Sequence, residues 1–111
     1  MPHVASHRFA RIAPRKARLV ADMIRGMNID DAITALQMCK KRGAYYIKGV
    51  LQSAIANAAE KDADVADLYV SNAQIDGGPT IKRFEQKDRG RAHQILKRTS
   101  HISIALDERS R

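Results

Sequence analysis

The chain of 111 residues has no tryptophan, one cysteine, and only three tyrosines and two phenylalanines. Each shortage excludes something. With so few aromatic residues the core must rest on Ala, Ile, Leu, Val and Met, and no aromatic surface for stacking nucleobases is apparent. A lone Cys39 rules out an intrachain disulfide and fits a reducing compartment. No apolar run approaches the ~20 residues that span a bilayer. Acids are missing altogether from residues 1–21, a pattern shared with transit peptides. That stretch lacks a signal-type apolar core, however, and runs straight into a helical pattern.

The sequence is also poor in catalytic and metal-binding constellations. The four histidines, His3, His7, His93 and His101, form no HExxH and have no cysteines at zinc spacing. His3 and His7 stand four apart, but a metal site needs more ligands. Ser100 and His101 are neighbours, and neighbours on a strand point to opposite faces, so they make no nucleophile–base pair. The GGP at 77–79 lacks the Lys and Ser/Thr of a phosphate loop. The acids are scattered. We therefore expect no enzyme, no metal and no cofactor.

What the chain has is positive charge and a foldable core. Lys and Arg number 20 against 12 Asp and Glu, giving +8 and a pI near 10.1. A compact domain repels itself at that charge, and an anionic partner relieves the repulsion. Nucleic acid is the commonest such partner, and an acidic membrane surface is the rival. A hydrophobic content of 44% suffices for one domain of this length.

Periodicity predicts an edge strand over 3–12, then a helix over 14–25 with Pro14 in its first turn and Gly26 at its end. Leu19, Val20, Met23 and Ile24 form its apolar stripe, while Arg15, Arg18, Asp22 and Arg25 share another face. A second helix starts at Asn28 or Asp30 and ends near Lys40, with Ile29, Ala32, Ile33, Leu36 and Cys39 inward. Lys40, Lys41 and Arg42 then complement its C-terminal dipole. A third helix spans about 43–60, with Ile47, Val50, Leu51, Ala54, Ile55 and Ala58 at helical spacing. The small residues of SAIANAA suit a central helix, with Asn57 buried and bonded. Residues 61–67 read as an acidic loop and 67–75 as a strand. In that strand Leu68 and Val70 have one parity and Ala73 and Ile75 the other, which predicts a bulge or a change of face. Asp76-Gly77-Gly78-Pro79 interrupts it. ISIAL at 102–106 alternates cleanly as a strand. The tail at 107–111 is expected to fray. The sum is an α+β fold with a small antiparallel sheet.

Residues 81–102 read IKRFEQKDRGRAHQILKRTSHI. Between 82 and 98 there are seven cations and two acids. As a hairpin turning near Gly90, the segment reaches roughly 40 Å at ~3.3 Å per residue. An isolated two-stranded ribbon is marginal in water, and these cations repel one another. Lying among phosphates removes both objections.

Three stretches resemble a known family: HRFARIAPRKARLVADMIRG (7–26), LQSAIANAAEKD (51–62) and GRAHQILKRTSHISI (90–104). They resemble the bacterial-type large-subunit ribosomal protein twenty-two family over about residues 5–107. A pattern starting near residue 5 implies no presequence. The resemblance implies three helices packed on a small antiparallel sheet, with a long protruding β-hairpin. It is one domain, with the body at about 1–76 and 103–111 and the hairpin at about 77–102. It further implies a cytoplasmic, non-catalytic constituent of the large ribosomal subunit that binds its RNA and supports assembly. The body would sit near the exit of the nascent-peptide tunnel, and the hairpin tip would line the tunnel. The partners would be several domains of large-subunit RNA, neighbouring ribosomal proteins and the nascent peptide, with no membrane. The RNA-binding candidates are Arg8, Arg11, Arg15, Lys16, Arg18, Lys82, Arg83, Lys87, Arg89, Arg91, Lys97, Arg98 and His101. The tip candidates are Glu85, Gln86, Lys87, Asp88, Arg89, Gly90 and Arg91. Here the tip departs from the family's Pro-Arg-Ala run: the proline is missing and two acids are present. The alternative function is a free RNA- or DNA-binding regulator, which would need a readable recognition helix or a stacking surface.

Overall fold

Pro14 opens the first helix, where a missing N–H costs nothing. The computed structural model describes residues 3–79, 81–87 and 91–108, with side chains at 3–79 and 98–108. The elements in order are β1 (His3–Ala10), α1 (Pro14–Ile24), α2 (Ile29–Met38), α3 (Arg42–Glu60), β2 (Leu68–Gly77), β3 (Ile81–Lys87), β4 (Arg91–Lys97) and β5 (Ser100–Glu108), with a 3-10 turn at Val65–Asp67. The molecule is elongated, with extents of 66 × 24 × 16 Å.

Two antiparallel sheets form: a three-stranded one in the order β1-β5-β2, and the separate ribbon β3-β4. β5 is the central strand. Its alternation works as expected, with Ile102, Ile104 and Leu106 fully buried. β2 changes parity at Ser71, where the register to β5 slips between Val70 and Asn72. The slip lets Leu68, Val70, Ala73 and Ile75 all point inward. Ser71 Oγ donates to the Ala105 carbonyl at 3.0 Å, which steadies the bulge. β1 is an edge strand, as predicted, and carries a bulge of its own between His7 and Ala10.

All three helices pack on one another, α3 lies on β1 and β5, and α1 lies on β2. The α1 stripe differs from the expected one. Ala17, Val20, Ala21 and Ile24 are buried, whereas Leu19 is 57% and Met23 37% exposed. Alanines win because the helix lies close to β2 and α3, and larger side chains would hold it off. α2 buries Ile29, Ala32 and Leu36, with Ile33 and Cys39 half-buried. α3 buries Ile47, Val50, Leu51, Ala54 and Ala58. Asn57 is exposed rather than buried, and its Nδ2 donates to the Val4 carbonyl at 3.1 Å. It ties α3 to β1 from outside.

The hairpin is shorter than the expected 77–102. Gly77 still pairs with Ser100 inside the body sheet, and the ribbon pairs run from Ile81↔Lys97 to Lys87↔Arg91. His101 therefore belongs to the body sheet. Asp88, Arg89 and Gly90, and the tail at 109–111, lie outside the described residues.

Candidate nucleic-acid interface

The strand register sorts the charges by end. β5 runs from Ser100, beside the ribbon, to Glu108 at the far end. β1 ends at Ala10 opposite Ser100 and begins at His3 opposite Leu106. The residues at the ribbon end are thus 8–12, 76–79 and 98–101. Arg8, Arg11 and Arg98 are there, all exposed. α1 starts at the same end, since a Cβ on Gly77 would lie 3.9 Å from Cγ of Pro14. Exposed Arg15 and Lys16 follow in its first turn. α3 starts there too, since a Cβ on Gly43 would lie 3.1 Å from Cδ1 of Ile12. Lys41 caps α3 and Arg42 opens it. Neither α1 nor α3 has an acid in its first turn. Two helix N-termini, each carrying about half a positive charge, therefore add to the side-chain cations at this pole.

The opposite pole is acidic. Glu60, Asp62, Asp64 and Asp67 lead from α3 into β2, and Asp107 and Glu108 end β5 beside them. α2 starts at this end, next to Tyr69, and carries Asp30 and Asp31 in its first turn. Among the described side chains one acid, Asp76, sits at the ribbon pole, where its Oδ1 accepts from Nε2 of Gln74 at 3.0 Å.

The predicted body cations thus converge. Arg11, Arg15, Lys16 and Arg98 have no carboxylate within 4 Å among the described residues. Arg8 stacks on Phe9, its Cζ 5.3 Å from the ring centre. Arg18 is partly committed: its Nη2 donates to the Ile75 carbonyl at 3.2 Å. Arg25 similarly donates to the Ala73 carbonyl and pairs with Asp22 at 2.7 Å. Both arginines cover the open edge of β2, a structural duty the sequence did not disclose. Lys82, Arg83, Lys87, Arg91 and Lys97 lie on the ribbon strands, and their side chains, with those of tip residues Glu85 and Gln86, lie outside the described residues.

The root of the ribbon is tightly built. The Gly78 N–H donates to the Thr99 carbonyl at 2.9 Å, and Thr99 Oγ1 donates to the Pro79 carbonyl at 2.6 Å. Ser100, fully buried, donates from Oγ to the Ile12 carbonyl at 2.6 Å. Phe9, in the left-handed region at φ 61°, donates its N–H to Nδ1 of His101 at 3.1 Å. Its ring meets the imidazole edge-to-face at 4.9 Å. His101 is thus half-buried and engaged within the root, with its ring proton left on Nε2.

Sequence reasoning missed two things here. Lys40, Lys41 and Arg42 were assigned to the end of α2, but α2 stops at Met38 and Arg42 begins α3. An aromatic cluster also exists after all. Tyr46 meets His7 edge-to-face at 5.8 Å and Tyr45 at 5.5 Å. The adjacent tyrosines were the visible signal; His7, distant in sequence, was not.

Among the described residues no helix is long and apolar enough to cross a membrane, and no group of three or more His, Cys, Asp or Glu could hold a metal. The family model for "Ribosomal protein L22p/L17e" matches residues 5–107. The chain is 53% identical over 102 residues to the large ribosomal subunit protein uL22 of Desulfotalea psychrophila (strain LSv54 / DSM 12343), covering 91% of this chain and 93% of that protein. With nearly the whole fold matched, from within β1 to within β5, the chain belongs to this bacterial-type ribosomal protein family.

Proposed function

We propose that this chain, a structural component of the large ribosomal subunit by its family, binds large-subunit RNA through its basic pole and ribbon. The observation that carries the reading is charge segregation. Arg8, Arg11, Arg15, Lys16, Arg42 and Arg98, with two acid-free helix N-termini, surround the point where the cationic ribbon leaves the body. Phosphates supply the counter-charge, and released counterions offset the entropy of ordering. Such contacts position the protein and carry little base information. The ribbon enters the RNA, and its tip, residues 85–91, lines the nascent-peptide tunnel. No step of catalysis is assigned.

The test is salt-dependent binding of the full chain to large-subunit RNA. Replacing Lys97 and Arg98 by Gln should flatten the log–log salt slope by about 1.5 to 2 if each meets one phosphate. An unchanged slope would remove both from the interface. Absence of the protein from the large-subunit peak of a sucrose gradient would overturn the reading as a whole.

A further inference from the structure

We infer that the cleft between β1 and the first half of α3 binds one unpaired nucleobase of the large-subunit RNA, with Tyr45 as its stacking platform. The inference rests on the proposed RNA-binding reading and adds a base-stacking site to it.

The cleft has a volume of about 520 Å³ and is lined by His7, Tyr45, Tyr46, Lys48, Gly49 and Gln52. Tyr45 is 79% exposed, so its ring contributes almost nothing to the core. Tyr46 is half-buried and held in place. Arg42 Nη2 donates to its hydroxyl at 3.3 Å, and the guanidinium carbon lies 5.9 Å from its ring centre. His7 and Tyr45 both stand edge-on to Tyr46, with interplanar angles of 89° and 78°. Three rings therefore enclose a corner whose open side faces solvent. Among the described residues no acid lines it, and Lys48 and Arg42 sit within or beside it. A flat, electron-rich ring attached to a phosphate fits that chemistry: stacking on an aromatic face, amide bonding from Gln52, and a cation for the phosphate. Lys48 is the charged residue of the lining, which favours a ligand that carries a phosphate over the apolar anchor group of a second protein.

Gly49 supplies an independent observation. Glycine inside a helix costs about 1 kcal/mol relative to alanine. Here no packing demands it: a Cβ at Gly49 would meet nothing within 4 Å, and the backbone there is ordinary helix. The fold does not need this glycine. An occupant of the cleft does, because a side chain at 49 would project into the space that the base fills.

The prediction is an unusual pairing of effects. Gly49→Ala should raise the melting temperature of the body, whereas Gly49→Leu, at a better helix former, should also raise it yet lower affinity for large-subunit RNA about ten-fold. Tyr45→Ala should lower affinity by a similar factor with the salt slope unchanged, since no charge is removed, and Tyr45→Phe should restore it. Ultraviolet crosslinking of the intact complex, followed by mass spectrometry, should place a nucleotide on the peptide bearing Tyr45. The probe is the full-length large-subunit RNA transcript. Wild-type affinity in Tyr45→Ala and Gly49→Leu, while Lys97/Arg98 neutralisation still weakens binding, would overturn this inference and leave the RNA-binding reading standing. A crosslink from Tyr45 to a neighbouring protein in assembled subunits, and none to RNA, would overturn it likewise. Failure of the wild-type chain to bind the transcript at all would remove both.

Discussion

Gly78 is where the body hands over to the ribbon, and its replacement gives the sharpest test of how that junction is built. In Gly78→Ala the new Cβ would lie 2.5 Å from Oγ1 of Thr99, and 3.2 and 3.3 Å from Cε1 and Nε2 of His101. The first distance is untenable, so Thr99 must turn. Turning breaks the 2.6 Å bond to the Pro79 carbonyl in a side chain only 3% exposed. Losing that bond costs about 1 kcal/mol, and stranding the hydroxyl adds about 1 to 2 more. Crowding against the imidazole, which Phe9 holds by its N–H, adds a further amount on the order of 1 kcal/mol. The expected loss is therefore about 3 kcal/mol, read as a fall in melting temperature of roughly 12 to 20 °C. Thermal unfolding followed by circular dichroism measures it. The mechanism is checked by a cycle with Thr99→Ala. Once Oγ1 is gone the clash is gone, so the double variant should be more stable than the sum of the singles predicts by about 1 to 2 kcal/mol. Additivity within about 0.5 kcal/mol would refute the argument that Thr99 Oγ1 is what forbids a side chain at position 78.

Other expectations follow from the same root and poles. Ser100→Ala removes the buried bond to the Ile12 carbonyl and should cost about 1 to 2 kcal/mol in chemical denaturation, the carbonyl being left without its partner. Phe9 holds a left-handed conformation that costs a non-glycine residue about 1 kcal/mol; Phe9→Gly should therefore be more stable than Phe9→Ala by about that amount, and the reverse order would show that the bulge is not strained. Replacing Arg11, Arg15 and Lys16 together by Gln should flatten the salt slope of RNA binding, while Asp62→Asn with Asp64→Asn at the far pole should leave the slope unchanged; equal effects at the two poles would refute the polar assignment.

Much of the fold was legible because it is written in short-range pattern. Ile102, Ile104 and Leu106 alternate, and the parity change between Val70 and Ala73 announced the bulge at Ser71. Pro14 and Gly26 marked the limits of α1, Gly26 taking φ +88° just beyond it. The misreadings share one physical cause: they concern which of several apolar or polar groups wins a place near another element. Leu19 and Met23 are more hydrophobic than Ala17 and Ala21, yet close helix packing selects the smaller pair. Asn57 looked like a buried amide because its neighbours are small, but it reaches β1 along the surface. The body cations were named correctly as charges, but their convergence with the start of α3 depends on contacts between residues 12 and 43, which periodicity does not report. The aromatic corner is hidden for the same reason, since His7 and Tyr46 meet only in three dimensions.

Several places where local rules are broken lie at the ribbon pole. α1 and α3 begin without a side-chain cap, with Ala13 and Lys41 where Ser, Asp or Asn would serve the free N–H groups better. Each then sets cations against the positive end of its own dipole: Arg15 and Lys16 in one, Arg42 in the other. Phe9 is held at positive φ, and Gly49 interrupts a good helix face. α2, which starts at the far pole, also lacks a side-chain cap bond, but it suits its dipole with Asp30 and Asp31 in its first turn. Each departure costs the isolated protein a few tenths to about 1 kcal/mol. The far pole has departures of its own, with Asp62 at φ 58° and Nδ1 of His3 buried without a partner, but the cations set against a helix dipole stand at the root of the ribbon. Phosphates at the two helix N-termini and a base against Tyr45 would reverse the sign of most of these terms. The free protein's dipoles and cations thus oppose each other at the pole proposed to bind RNA, and RNA binding should raise the stability of that pole more than that of the acidic one. Hydrogen exchange of the full chain with and without large-subunit RNA reads this directly: added protection concentrated at the starts of α1 and α3 supports the argument, and protection spread evenly over both poles defeats it.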